Sequence, residues 1–240
     1  MFRLAFISAL LLSLVGLAGC GGGGGCASAI DCVEASGGSQ DATTAVSVSI
    51  GSGDKIETTA KEIKYAFRYA ITVSDALGRP VVGATVTPKV EMVGFFKGQF
   101  FRDAELKVID VGVASATTGG LVGPPEFCVN EDINANFELD AGEDVNGDDS
   151  LTPEGASVVA TVEGSNRTDS QGVVYFRVEY TKRDASWLVY RLTASAAVAG
   201  TEGSITQEQR TSFGVGDDEA ESTPFLISRF GVTPGCDNRF

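Results

Sequence analysis

An all-β fold, an immunoglobulin-like β-sandwich of two sheets carrying a long loop insertion, is what this sequence predicts, and two observations predict it. From Val46 onward apolar residues recur at every second position in short runs, and no stretch sustains a helical period. Alternation of this kind gives a strand one dry face and one wet one. The runs are separated by clusters of Gly, Pro and Asp, the residues that set tight turns.

The elements follow in order. Val46, Val48 and Ile50 alternate with small polar residues, and Phe67, Tyr69, Ile71 and Val73 alternate with Ala66, Arg68, Ala70 and Thr72. Val82, Ala84, Val86, Val90 and Met92 face away from Thr85, Thr87, Lys89 and Glu91. Beyond the middle of the chain come Val158, Ala160 and Val162, then Val174, Phe176 and Val178, then Leu188, Leu192, Ala194, Ala196 and Val198, and a closing strand over 205–215. Seven strands with turn signals at 75–80 and 169–172 suit two antiparallel sheets packed face to face over residues 44–215. Between the third strand and the next lies an insertion over about 94–156. It opens with Phe95, Phe96, Phe100 and Phe101 around Lys97 and Gly98. Two readings of these rings stand: an exposed aromatic hairpin tip for binding, or a cover over the open end of the sandwich, where aromatic rings usually bury. Residues 106–113 read as an extra strand and 119–125 as a loop.

Within the insertion, residues 130–155 carry polar residues at metal-ligand spacing, with a period of twelve. Asp132, Asn134, Asn136 and Leu139 are answered by Asp144, Asn146, Asp148 and Leu151. This ladder resembles the calcium loop of the EF-hand type, in which alternate residues of a tight loop supply the six to eight oxygens a hard cation needs. Counted from Asp132 as position one, Asn134 is three, Asn136 five, Glu138 seven through its carbonyl, Asp140 nine and Glu143 twelve. Phe137 stands at position six, where the turn prefers Gly. In the second loop Asp144, Asn146 and Asp148 fit, followed by Ser150 and Thr152, but position twelve is Gly155 and Glu154 sits one residue early. The first loop is therefore expected to be the better site, with Leu139 and Leu151 anchoring each loop to the protein. Pro124 and Pro125 exclude a helix before Asp132, so tandem loops are expected rather than a paired helical sensor. Ten carboxylates and no Lys or Arg fall between Glu126 and Glu154, and without a cation their repulsion would expand the segment.

The N-terminus reads as an export signal: Met1-Phe2-Arg3, an apolar run over 4–17, then Leu17-Ala18-Gly19-Cys20. Leu17-Ala18-Gly19-Cys20 resembles the lipobox of bacterial lipoproteins, which implies a signal peptide over 1–19 and a lipidated Cys20 as the membrane attachment. Gly at 21 and 22 rather than Asp implies, by the same resemblance, the outer membrane. Residues 20–43 are rich in Gly, Ser, Ala and Thr and read as a flexible tether. With Cys20 assigned to lipid, Cys26, Cys32, Cys128 and Cys236 remain, and an exported chain is expected to pair them. Three connectivities are open; Cys26 with Cys32 and Cys128 with Cys236 is the expected one, the second pair tying the entrance of the acidic loops to the 216–240 tail.

A formal net charge of −14 argues against nucleic acid or anionic headgroups and makes a cation the natural counterpart. The chain has no histidine, which removes Ser-His-Asp, Cys-His and His-ligated metal chemistry. No phosphate-binding Gly loop and no Cys-x-x-Cys stand in the sequence, and Trp187 and Tyr190 lie in a strand, where a core role is expected. The chain is thus expected to be non-catalytic.

The residues Val73-Ser74-Asp75-Ala76-Leu77-Gly78-Arg79-Pro80-Val81-Val82-Gly83-Ala84-Thr85-Val86 and Thr168-Asp169-Ser170-Gln171-Gly172-Val173-Val174 are similar to signatures of bacterial Ig-like domains of the invasin and intimin type. The resemblance covers about 44–215, interrupted by the insertion, and it implies a structural or adhesive module. Two functions from different classes follow: a lipid-anchored, calcium-stabilised envelope module in structure or adhesion, or a carbohydrate-binding accessory of an envelope enzyme, with the protein or glycan partner unnamed by the sequence.

Overall fold

The computed structural model describes residues 45–59, 63–155, 157–217 and 223–238. The expected signal peptide, Cys20, the tether and the Cys26–Cys32 pair lie outside the described residues. Strands β1 (Ser47–Thr59), β2 (Lys64–Ser74), β9 (Val173–Thr181) and β8 (Val158–Val162) form one antiparallel sheet in the order β1-β2-β9-β8. A second antiparallel sheet has the order β11-β10-β3-β7, from β11 (Thr201–Arg210), β10 (Leu188–Val198), β3 (Thr85–Lys97) and β7 (Glu126–Val129). A small third sheet joins β4 (Gln99–Arg102), β5 (Val108–Ala114) and β6 (Leu121–Gly123). Among the described residues the helical content is one 3-10 turn, Lys182–Asp184, and no helix is long and apolar enough to cross a membrane.

The core lies between the two larger sheets, filled by the period-two faces of their central strands. Tyr69, Ile71 and Val73 of β2 and Val174, Phe176 and Val178 of β9 meet Val86 of β3 and Tyr190, Leu192, Ala194 and Ala196 of β10. Tyr69 stacks on Phe176, and its hydroxyl shares a 2.7 Å hydrogen bond with that of Tyr190, so these two buried hydroxyls satisfy each other across the sheets. Burial pushes both phenols above their ordinary range, and they stay neutral.

The turn signals become one repeated device. Asp75 Oδ1 accepts from the N–H groups of Leu77 and Arg79, and Gly78 takes φ 75°. Asp169 Oδ1 likewise accepts from Gln171 and Val173, with Gly172 at φ 75°. A third copy at Asp103 bonds Glu105 and Lys107, with Leu106 at φ 66° where the others have Gly. The aspartate replaces a backbone acceptor and leaves one residue in the left-handed region.

Three expectations need correction. Val82 is exposed and precedes β3, because Gly83 at φ 77° turns the chain before Ala84 enters the core. The closing strand spans Thr201–Arg210, since Ala199 and Gly200 at positive φ make a tight hairpin that brings Thr201 opposite Val198. The Thr-Glu-Gly-Ser composition of residues 201–204 hides its start, as an edge strand needs little apolar surface. Residues 94–156 are less of a loop than expected: 94–97 continue β3, β7 returns to pair with them, and residues 121–123, read as loop, form β6. The aromatic cluster turns inward: Phe95 is buried against Phe230, and Phe100 lies edge-on to Trp187 and Phe225.

The tail is fastened to this end of the molecule. Cys128 and Cys236 form a disulfide, and Trp187 Nε1 donates to the Phe225 carbonyl at 2.6 Å. Lys97, 1% exposed, donates to the carbonyls of Gly235 and Asn238 and to Asn238 Oδ1 at 2.7–2.8 Å. Burial lowers its pKa, and the charges of Glu126 and Asp237 oppose that shift. Arg229 reaches Asp184, 2% exposed, at 2.6 Å.

Two stability outcomes follow. Replacing both Cys128 and Cys236 by Ser should lower the unfolding free energy by about 2–5 kcal/mol, because the bridge closes a long loop in the unfolded chain; urea titration measures it. Trp187→Ala should remove about 3–5 kcal/mol and leave the Phe225 carbonyl without its donor; circular dichroism melts check this, and an unchanged melt would show that the tail does not depend on the indole.

Candidate metal-binding loops

The acidic stretch is pinned at its base. The Asn130 N–H donates to the Val93 carbonyl at 3.0 Å, and the Asn130 side-chain amide donates to the carbonyls of Met92 and Asp132. At the far end the Glu131 N–H donates to the Thr152 carbonyl at 3.1 Å, so entrance and exit of the double loop lie together. The disulfide to the tail stands three residues before Glu131.

In the first loop the carboxylates organise the backbone. Asp132 accepts from the N–H groups of Asn136 and Phe137, and Asn134 Oδ1 also accepts from Asn136. Asn136 Oδ1 accepts from Glu138. Glu143 closes the loop, one oxygen accepting from the Ile133 N–H at 3.0 Å and the other from Asp140 at 2.9 Å. Phe137 does occupy the left-handed region, φ 64°, where Gly was preferred. Asp132 and Glu143 are buried, at 6% and 5% exposure. Asp140 is differently disposed: its Oδ2 receives the amide groups of both Asn134 and Asn136.

The second loop repeats the pattern twelve residues on. Asp144 accepts from the N–H groups of Asp148 and Asp149, and Asp148 Oδ1 accepts from the backbone and hydroxyl of Ser150. Gly147 and Asp149 take φ 72° and 58°, as Ala135 and Phe137 do at the same positions of the first loop. Position twelve is where the structure departs from the sequence reading. Gly155 does not stand in for the carboxylate, and the Glu154 side chain is 80% exposed beside Arg229. Glu131 takes the place instead: Oε1 accepts from Val145 and Asn146 at 3.2 Å, and Oε2 accepts from Thr152 at 2.8 Å. These are positions two, three and nine of the second loop, where Glu143 serves positions two and nine of the first. The signal was present in the sequence, because Glu131-Asp132 and Glu143-Asp144 form the same dipeptide at the same period, one step ahead of the ladder.

Glu131, Asp144 and Asp148 converge, one oxygen from each lying within 4.8 Å of the others, a closeness that Asp132, Asp140 and Glu143 do not match among the described residues. The grouped carboxylates thus belong to the second loop and Glu131, whereas in the first loop the Asn134 and Asn136 amide groups are turned onto Asp140. Glu131 is 3% exposed, and burial raises its pKa; three N–H bonds oppose the shift, and the charge of Asp148 adds to it. Asn146 is held on both sides, its N–H on Glu131 and its amide group on Thr152 Oγ1, while its Oδ1 is buried without a hydrogen-bond partner. A buried carbonyl oxygen left unmatched costs about 1–3 kcal/mol, and a cation is one partner that removes the cost. The donors are all oxygen, which suits hard cations and no soft one.

The expected anchors differ from each other. Leu151 is half-buried, but Leu139 is 40% exposed, as are Ile133 at 76% and Phe137 at 70%, so the first loop has no apolar plug of its own. Trp187 and Tyr190, by contrast, are buried in the core. Elsewhere, a cavity of about 510 Å³ is lined by Phe67, Tyr69, Tyr180, Tyr190, Arg210 and Phe213.

No protein-family model, no curated protein and no solved structure matches the chain.

Gly147 has open space where a Cβ would stand, so Gly147→Ala isolates backbone strain. A left-handed Ala costs about 1–2 kcal/mol, and limited proteolysis between 144 and 152 should accelerate by roughly 5–30-fold if loop opening precedes cleavage.

Proposed function

We propose that this chain is a lipid-anchored, non-catalytic cell-envelope protein in which an Ig-like sandwich is stabilised by calcium bound in the 130–155 loops, and that its role is structural or adhesive. The observation that carries the reading is the repeated ladder of oxygen side chains, each copy turned by its own first aspartate and closed by a buried glutamate. Asp132, Asn134, Asn136, Glu138 through its carbonyl, Asp140 and Glu143 would hold one ion. Asp144, Asn146, Asp148, Ser150 and Thr152 would supply the second. Calcium fits this donor set because it accepts carboxylate, amide and carbonyl oxygens in a flexible shell, whereas magnesium demands a tighter octahedron. The bound ion would neutralise part of the excess of carboxylates in the stretch and hold the insertion against the sandwich.

Ig-like character is supported by two antiparallel four-stranded sheets and by the Asp75 and Asp169 turns, which carry the residues similar to invasin-type domains. Attachment rests on the lipobox-like Leu17-Ala18-Gly19-Cys20, and outer-membrane placement on Gly21 and Gly22. The absence of histidine supports a non-catalytic role.

Extracellular calcium modules bind with dissociation constants of about 0.1–1 mM. At the tight end of that range, ~1 mM calcium would add roughly 1.4 kcal/mol to stability. For a domain of this size the melting temperature should then rise by about 3–6 °C over that in EGTA, and the rise should shrink in Asp132→Ala and Glu143→Ala. A melt indifferent to calcium in the wild type would refute the calcium part of the proposal.

A second reading, a carbohydrate-binding accessory, draws on the aromatic-lined cavity bounded by Tyr180, Tyr190 and Arg210. A glycan array with the wild-type protein and with Phe213→Ala and Gln209→Ala variants, both at the cavity lining, discriminates it: binding to no glycan would dispose of this reading and leave the first.

A further inference from the structure

We infer that Glu131, which precedes the first loop, is the closing ligand of the second, so that the two loops form one interlocked pair whose ions bind cooperatively. The inference rests on the calcium reading above and adds a ligand and a coupling to it.

Two observations converge on Glu131, and a third concerns the loop it closes. Its carboxylate makes the contacts to positions two and nine of the second loop that Glu143 makes in the first, with Val145 and Thr152 in place of Ile133 and Asp140. It lies with Asp144 and Asp148 in the group whose oxygens fall within 4.8 Å of one another. Independently of the carboxylates, Asn146 Oδ1 at position three of that loop is buried with no hydrogen-bond partner, an acceptor that a bound cation would satisfy. Glu154, the nearest alternative in sequence, has its carboxylate 3.9 Å from Arg229 and is 80% exposed.

The coupling follows from connectivity. Glu131 of the second site is bonded covalently to Asp132 of the first, and Glu143 of the first to Asp144 of the second. An ion in either loop therefore fixes two peptide units that carry ligands of the other. The Glu131 N–H bond to Thr152 O joins the same two ends. Ordering a backbone residue costs about 1–2 kcal/mol, so residues ordered by the first ion need not be ordered again by the second.

Equilibrium dialysis of the EDTA-stripped full-length protein against radioactive calcium tests this. Two ions per chain with a Hill coefficient above one are expected for the wild type. Glu131→Gln should retain one ion, bound about fivefold or more weakly than in the wild type, the low end of ordinary site-to-site coupling. Asp148→Asn, at a less buried position of the same site, should do the same, and Trp187 fluorescence verifies that each variant is folded. Glu154→Gln should behave as wild type. Retention of two ions at unchanged affinity by Glu131→Gln and Asp148→Asn, or a wild type that takes a single ion, overturns the inference and leaves calcium binding standing. A wild type that takes no calcium overturns both.

Discussion

The indole of Trp187 is the junction on which the insertion side of the molecule depends. It is fully buried, and the residue is reached from four directions: its backbone N–H donates to the Asp184 carbonyl, its backbone carbonyl accepts from the Phe96 N–H of β3, its ring meets Phe100 of β4, and Nε1 donates to the Phe225 carbonyl of the tail. Sheet, third sheet and tail are thereby referred to one residue. Around it the tail is fastened by interactions of different kinds, the disulfide, the Lys97 ammonium on three oxygens and the Arg229 pair with buried Asp184. A buried charge is tolerable only when its hydrogen bonds are filled, and both meet that condition. The result is a rigid floor from which the acidic loops leave and to which they return.

That floor matters because the loops have little apolar surface to hold them. Ile133, Phe137 and Leu139 face solvent, so the stretch is ordered by carboxylates accepting backbone N–H groups. Such a scaffold concentrates negative charge, and the concentration is greatest where Glu131, Asp144 and Asp148 meet. The physical tension between ordered backbone and repelling carboxylates is what a divalent cation would relieve. The proposed calcium sites and the tail clamp are then parts of one arrangement: the clamp fixes Cys128 and, through it, the position of Glu131.

Much of the fold was legible in the sequence because its central strands obey a period of two. Tyr69, Ile71 and Val73, or Val174, Phe176 and Val178, announce a dry face that can be buried in one way. The edges of the second and third sheets were less legible. β11 buries little and alternates Thr, Ser and Gln, and β6 and β7 are short strands whose existence depends on a neighbouring edge. Periodicity reports burial, and these strands are made by pairing instead.

For the candidate site, the ladder, its period of twelve and the turn at the sixth position can be read along the chain, because each is local: side-chain oxygens at alternate residues cap N–H groups two to five residues away. The expected pairing of Cys128 with Cys236 is also present in the structure. That Glu131 rather than Glu154 bonds the second loop is visible only once the chain is folded, since the choice depends on the two ends of the stretch meeting at Thr152. The tertiary structure likewise decided that the aromatic cluster faces inward, because Phe95 and Phe100 acquire partners, Phe230 and Phe225, that lie more than a hundred residues away in the chain. Contacts within a loop are written in its spacing; contacts that close a loop depend on where the rest of the chain brings its ends.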